Sequence, residues 1–120
     1  VDQLSAVCHW SQVLEMQQAV RQVRVDEAIS DYMLDIVHAT RDSPELSVGI
    51  STRAALSWYR AIQSAAFLDG RDFAIPDDAR DLSVSVLSHR VLMQGGMQGT
   101  QRSDMEALIH EITSQFDLPT

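Results

Sequence analysis

The stretch Gly49-Ile50-Ser51-Thr52-Arg53-Ala54-Ala55-Leu56 decides the fold, because it opens the longest apolar helix pattern in the chain. Gly49 ends a loop, and Ser51 is a candidate N-cap since its side-chain oxygen can accept a backbone N–H. Arg53 falls in the first turn, where the helix carries roughly +0.5 charge and a cation is mildly unfavourable. An arginine here makes sense if it reaches an anion beside the same N–H groups. The alternative interpretation is an exposed arginine with no role.

Several short motifs accompany this stretch. They are Val23–Ala28, Asp31-Tyr32, Ala39-Thr40-Arg41, Gly49–Leu56, Asp69–Phe73, Pro76-Asp77-Asp78 and Val86–Arg90. In order and spacing, residues 23–90 resemble the C-terminal lid domain of MoxR-type AAA+ ATPases. The resemblance implies that Arg53 is the second sensor arginine, which contacts nucleotide phosphates from a helix start formed by Gly49, Ser51 and Thr52. Ile50 and Thr52 stand where the family usually has Ala and Pro, and Thr52 lacks the preset backbone angle of proline.

The resemblance also carries implications for activity and partners. It implies a lid that follows a P-loop α/β domain in the same parent chain and closes over ATP and Mg bound there. Neighbouring subunits of a ring are implied partners, and von Willebrand factor A domain proteins often work with such ATPases. The family is similar to chaperone-like machines that mature or activate other proteins. This chain alone is therefore expected to be no enzyme, to bind no cofactor, and to have no catalytic residue in isolation.

Length and composition fit one soluble globular domain over residues 1–120. We divide it into a linker and first helix (1–22), the family-like core (23–90), and a glycine-containing loop with the last helix (91–120). The net charge of −8 argues against nucleic acid, which requires clustered Lys and Arg. The sequence shows no membrane span or secretory signal. The single cysteine, Cys8, favours a reducing cytoplasm, and the start at Val1 hints at a fragment.

Apolar residues recur with helical spacing along most of the chain, which predicts an all-α fold, a small bundle of about five helices. The predicted helices are 12–22 capped by Ser11, 27–41 capped by Asp26, 52–69, one starting at Pro76, and one with the capping box Ser103-Asp104-Met105-Glu106. The central helix is apolar nearly all round, which predicts that other helices surround it. Val23–Val25 and Phe73–Ile75 are candidates for a short two-stranded ribbon.

Motifs for other chemistry are absent. There is no Walker A sequence, and Gly95–Gly99 lacks the Lys-Ser/Thr that a P-loop needs, so it is interpreted as a flexible connector. The histidines are dispersed, and Cys8-His9 lacks the spaced partners of a zinc site, so no metal site is predicted. Arg71 is interpreted as a structural partner of Asp69 or Asp72.

Two other functions remain open at this point. The first is a stand-alone helical adaptor that binds a partner through an exposed apolar groove. The second is a regulatory domain with no link to nucleotide. A Walker A sequence upstream in the same reading frame would favour the lid, whereas a native start at Val1 would favour the adaptor.

Overall fold

The computed structural model describes residues 2–95 and 101–120, and its helices and strands follow in a simple order. They are α1 (Trp10–Val20), α2 (Glu27–Asp42), β1 (Leu46–Val48), α3 (Thr52–Leu68), α4 (Pro76–Leu87), a 3-10 turn (Ser88–Arg90), β2 (Leu92–Met93) and α5 (Arg102–Ser114). The predicted all-α class, with five helices and a short two-stranded sheet, is confirmed.

Helix α2 forms as its sequence predicts. The Asp26 side chain accepts a hydrogen bond from the Ala28 N–H, which satisfies one of the free donors at the helix start. Ser43 ends the helix in an extended conformation before Pro44, because a residue that precedes proline avoids the α region. Its buried face is the amphipathic stripe seen in the sequence: Ile29, Tyr32, Met33, Ile36, Val37 and Thr40.

Helix α3 packs mainly against α4 and is buried on one side only. Its buried residues are Ala54, Trp58, Ile62, Gln63 and Ala66. Trp58 donates from Nε1 to the carbonyl oxygen of Ala79 on α4 at 3.1 Å, and small residues on both helices allow this close packing. Leu56 and Leu68 are 60% and 82% exposed. The prediction that other helices surround α3 is therefore wrong, because its apolar residues outnumber the positions that its neighbours cover.

The turn from α3 to α4 is fixed by Arg71. Its guanidinium makes two hydrogen bonds to the Asp78 carboxylate, at 2.9 and 3.0 Å, and one to Asp69 at 3.0 Å. These bonds, that to Asp78 foremost, raise the pKa of Arg71 above its ordinary value. Asp78 also accepts from the Ile75 N–H and so caps α4. The predicted structural role of Arg71 holds, with Asp69 and Asp78 rather than Asp72 as partners. Gly70 takes φ +79°, as expected of the residue after a helix end.

The two-stranded sheet lies elsewhere than the sequence suggested. Strands β1 and β2 pair antiparallel, with Leu46 opposite Met93 and Val48 opposite Leu92. The segments 23–25 and 73–75 make one isolated parallel bridge between Arg24 and Phe73 instead of a ribbon. Val23 and Ala74 are buried there, and the Gln63 amide donates to the Val23 carbonyl oxygen at 2.9 Å. Parallel neighbours of this kind are held by the helices on either side rather than by a hairpin turn.

Two predicted helix starts were wrong. Helix α1 begins at Trp10 with His9 as N-cap, whose ring Nδ1 accepts from the Ser11 N–H, so Ser11 is inside the helix rather than before it. Helix α5 begins at Arg102 after Gln101, and the Asp104 carboxylate accepts from the Gln101 N–H at 3.0 Å. The predicted box at Ser103 is displaced because Asp104 reaches back to residue 101. Most of the predicted connector Gly95–Gly99 lies outside the described residues.

Candidate functional site

The start of α3 is the candidate site, and its geometry follows from Ser51. The Ser51 hydroxyl accepts from the Ala54 N–H at 3.1 Å, and the Ser51 carbonyl accepts from the Ala55 N–H at 3.0 Å. Ser51 is therefore the N-cap, as predicted, and Thr52 is the first helical residue. Arg53 follows in the first turn.

The last turn of α2 holds this helix start in place. The Ile50 N–H donates to the Thr40 hydroxyl at 3.0 Å, and that hydroxyl donates to the Val37 carbonyl at 2.7 Å. Arg41 donates from Nε to the Ile50 carbonyl oxygen at 2.9 Å. Thr40 and Ile50 are fully buried. Both polar groups of the Ile50 backbone thus bond to α2, and the residues before Arg53 have a fixed position.

Gly49 permits this contact between the loop and α2. A Cβ atom on residue 49 would lie 2.8 Å from backbone atoms of Thr40 and Arg41, closer than side chains tolerate. The glycine is needed for close approach of two backbones. Any larger residue would push the start of α3 away from the end of α2.

The side chain of Arg53 is exposed to solvent. Within the described residues its guanidinium makes no hydrogen bond or ion pair. The first N–H groups of a helix have no acceptor inside the helix, and here the Ala54 N–H is satisfied by Ser51 while Thr52 and Arg53 precede it. Two backbone donors and one guanidinium therefore occupy the first turn of α3, a donor set that fits phosphate oxygens.

Thr40 and Arg41 are the site residues that sequence reasoning missed. Their motif, Ala39-Thr40-Arg41, belongs to the family pattern, but the sequence alone indicates no role for it. Their partner Ile50 lies about ten residues away across a loop, so no helical or strand period connects them. One signal in the sequence points to this contact. Thr40 lies on the apolar side of a helix end, where a buried hydroxyl needs a hydrogen-bond partner.

The rest of the described chain offers few competing sites. Residues 2–95 and 101–120 contain no group of three His, Cys, Asp or Glu side chains placed to hold a metal ion. No helix in these ranges is long and apolar enough to cross a bilayer. The Tyr32 hydroxyl, beside Arg80, is buried without a hydrogen-bond partner in the described structure.

Comparison with known proteins adds independent information. The AAA lid domain family matches residues 38–112. The chain is 32% identical over 121 residues to the uncharacterized protein YeaC of Bacillus subtilis (strain 168), covering 99% of this chain and 37% of that protein. It is 30% identical over 116 residues to Chaperone MoxR1 of Mycobacterium tuberculosis (strain ATCC 25618 / H37Rv), covering 89% and 30%.

A solved structure shares the fold. It is a crystal structure of a putative ATPase from Cytophaga hutchinsonii ATCC 33406, with a TM-score of 0.78 and 23% identity. The match covers 92% of this chain and 36% of that one. The chain thus spans roughly a third of the length of the proteins it resembles.

Proposed function

Because this chain belongs to the AAA lid domain family, as a lid of the MoxR type, we propose that it closes over ATP bound by a P-loop domain of the same parent. In this role Arg53 is the sensor arginine that contacts the phosphates. We divide the lid as the sequence suggested, with residues 23–90 as its core. The observation that carries the proposal is an exposed Arg53, without a partner among residues 2–95 and 101–120, on a helix start fixed by α2.

The hydrogen-bond donors at the start of α3, two backbone N–H groups and the Arg53 guanidinium, support a phosphate group as the ligand. A cation at the positive end of a helix has no stabilising role there, whereas it adds to the backbone donors when an anion binds. An arginine beside a transferring phosphoryl group stabilises its negative charge and links the presence of ATP to the position of the lid. The parent supplies ATP and Mg binding, and the lid supplies this single charge.

The parent is then an ATPase that forms a ring and works in the cytoplasm. Its family relation to a chaperone supports a role in maturing or activating other proteins, with von Willebrand factor A domain proteins as candidate partners. These features extend the proposal from the lid to the whole machine, and each depends on the parent chain.

The Arg53→Ala variant tests the role of the arginine. In the full-length parent we expect ATP turnover to fall by roughly 10- to 100-fold, since the phosphate contact and lid closure are lost together. In the 120-residue chain we expect the melting temperature to stay nearly unchanged, because a cation is removed from the positive end of a helix.

The matched control is Arg102→Ala. Arg102 is also an exposed arginine in the first turn of a helix, α5, but it already pairs with Glu106 at 2.7 Å. This change should leave turnover at the level of the unmodified parent. Equal and small effects of the two changes would show that Arg53 is an ordinary surface residue.

A further inference from the structure

A shallow apolar groove of about 240 Å³ runs between α2 and α3. Each helix contributes four residues at positions i, i+3, i+4 and i+7, counted from Ser30 on α2 and from Thr52 on α3. The groove therefore follows both helices for two turns. It ends at the start of α3, where Thr52 lines the groove and Arg53 lies beside it.

Two leucines form the exposed walls of this groove. Leu34 on α2 is 49% exposed and Leu56 on α3 is 60% exposed, while Met33 and Val37 beneath them are buried. Leucine side chains with about half of their surface in water gain free energy if another apolar surface covers them. The groove is therefore suited to bind a further helix.

Opposite charges border the groove on its two sides. On α2, Ser30 and Val37 line the groove beside Leu34, so Asp31 and His38, three before and four after Leu34, lie on its outer side. On α3, Thr52 and Tyr59 line the groove beside Leu56, so Arg53 and Arg60 lie on its outer side.

These charges are not neutralised within the molecule. The ion pairs of the described residues involve Arg71, Arg80 and Arg102. Arg60 donates to the amide oxygen of Gln63 at 2.9 Å, which leaves its positive charge uncompensated. The groove thus has a basic border along α3, formed by two arginines, and a single carboxylate, Asp31, on its α2 side, where His38 adds no negative charge.

We propose that this groove binds an amphipathic helix of a partner protein. The helix has bulky apolar residues at i, i+3, i+4 and i+7, acidic residues on the side that meets α3, and a basic residue that meets Asp31 of α2. Helix-in-groove recognition uses this spacing of apolar anchors, and complementary charges fix the orientation of the bound helix. The inference does not depend on the nucleotide role of Arg53.

A second copy of the chain fits this groove less well. Its α1 exposes the apolar residues Trp10, Val13 and Leu14, but the only charged residue of α1 is Glu15. Such a helix supplies apolar anchors and one carboxylate, but no basic residue for Asp31 and no second acidic residue for the two arginines. The charges of the groove therefore favour a different protein as the occupant.

A designed peptide tests the proposal directly. The probe is a fluorescein-labelled helical peptide of about 18 residues, or five turns, with a leucine stripe flanked by glutamates on one side and by one lysine, placed to meet Asp31, on the other. Fluorescence anisotropy with the 120-residue chain should show saturable binding. Leu34→Ser and Leu56→Ser should each weaken binding by about tenfold or more, because each removes a covered leucine.

The control for the apolar contact is Leu68→Ser. Leu68 is the most exposed leucine of α3, at 82%, and it lies outside the groove. This variant should bind as the unmodified chain does. All three positions are exposed, so circular dichroism should show the same helix content in every variant.

The charge pattern has its own test. Arg60→Glu should weaken binding of the mixed-charge peptide by a few fold and strengthen binding of a peptide with lysines on both sides, since the α3 border changes sign. Arg24→Glu, an exposed change away from the groove, should do neither. Equal affinities for peptides with different charge patterns would overturn the assigned pattern of charges around the groove.

Other outcomes would also reject the proposal. Absence of saturable binding would do so, and so would equal losses for Leu56→Ser and Leu68→Ser. If sedimentation shows that the chain self-associates and that Leu56→Ser prevents it, the occupant is a second copy instead. None of these measurements uses nucleotide, so their failure leaves the proposed role of Arg53 untouched.

Discussion

At the scale of single residues, Thr40 has the largest influence on the geometry of the site. Its buried hydroxyl accepts from the Ile50 N–H and donates to the Val37 carbonyl, so one oxygen joins the end of α2 to the start of α3. Ser51 and Arg53 follow directly after Ile50. The position of the candidate phosphate-binding turn thus depends on a side chain that makes no contact with phosphate.

Replacement of Thr40 by valine tests this link. Valine keeps the shape but leaves the Ile50 N–H buried without a partner, so we expect the free energy of unfolding to fall by roughly 1–3 kcal/mol. Thr40→Ser keeps the hydroxyl and should be less destabilising. Urea denaturation of the three chains measures the difference, and equal stability of Thr40→Val and the unmodified chain would argue against the hydrogen bond.

Removal of the Tyr32 hydroxyl should not destabilise the fold, in contrast to removal of the Thr40 hydroxyl. Its hydroxyl is buried and has no partner in the described part of the chain, so it was desolvated on folding without gaining a hydrogen bond. Tyr32→Phe keeps the ring and removes this group. We expect it to leave the free energy of unfolding unchanged or to raise it by about 1 kcal/mol. A clear loss of stability in urea would mean that the hydroxyl is bonded in solution.

The same residue gives stability a pH dependence. Burial raises the pKa of Tyr32 above its ordinary value of 10.0, an effect that Arg80 opposes and Asp81 reinforces. Above pH 10 the unfolded chain loses this proton while the folded chain keeps it, so stability falls as pH rises towards the folded-state pKa. Urea denaturation at pH 9 and above should show that the free energy of unfolding declines more steeply with pH for the unmodified chain than for Tyr32→Phe.

At the scale of elements, α1 differs from the other helices. None of its eleven residues is buried, and the polar residues Gln12 and Glu15 line its side near Phe67 of α3. Helix stability in proteins comes mainly from a buried apolar face. Helix α1 therefore depends on its cap at His9 and on contacts near Phe67.

Hydrogen exchange should reveal this difference between helices. We expect the amides of α1 to exchange first and those of α3 around Trp58 and Ile62 to exchange last, since protection follows buried contacts. Mass spectrometry of peptides from 10–20 and 52–68 gives the comparison. Equal protection of the two helices would show that α1 is covered in solution, for example by another molecule.

At the scale of the whole molecule, the proposed site at Arg53 supplies one of the several groups that a triphosphate needs. Its nine basic residues are all arginines, so it contains no lysine for a phosphate loop. Tight binding of a triphosphate requires several donors and a metal ion held together. In the proposed function the chain contributes a helix start and one arginine to such a site.

We therefore expect the isolated chain neither to hydrolyse ATP nor to bind it tightly. Phosphate release should stay at background, and calorimetric titration with ATP and Mg should give no saturable heat at micromolar concentrations. The Arg53→Ala chain serves as the reference for contaminating activity. Turnover that disappears in this variant would contradict the expectation, because the chain would then act without a P-loop domain.

Local sequence signals determined α2, the start of α3 and with it one side of the candidate site. The apolar spacing of residues 29–37 and the Asp26 cap predict α2 almost to its ends, and Ser51 places Arg53 in the first turn of α3. These features depend on neighbours within about four residues, which is the range of helix hydrogen bonds and caps. The family membership predicted from Gly49–Leu56 and its companion motifs agrees with the comparisons.

Only the tertiary structure decided which parts meet. Leu46 pairs with Met93 across more than forty residues, Thr40 bonds to Ile50 across a loop, and Asp78 rather than Asp72 binds Arg71. Such contacts are set by how helices pack and where chains approach closely, and no period within one segment encodes them. The same reason explains the exposed face of α3, since apolar residues predict burial but do not say whether this chain has a helix to cover them.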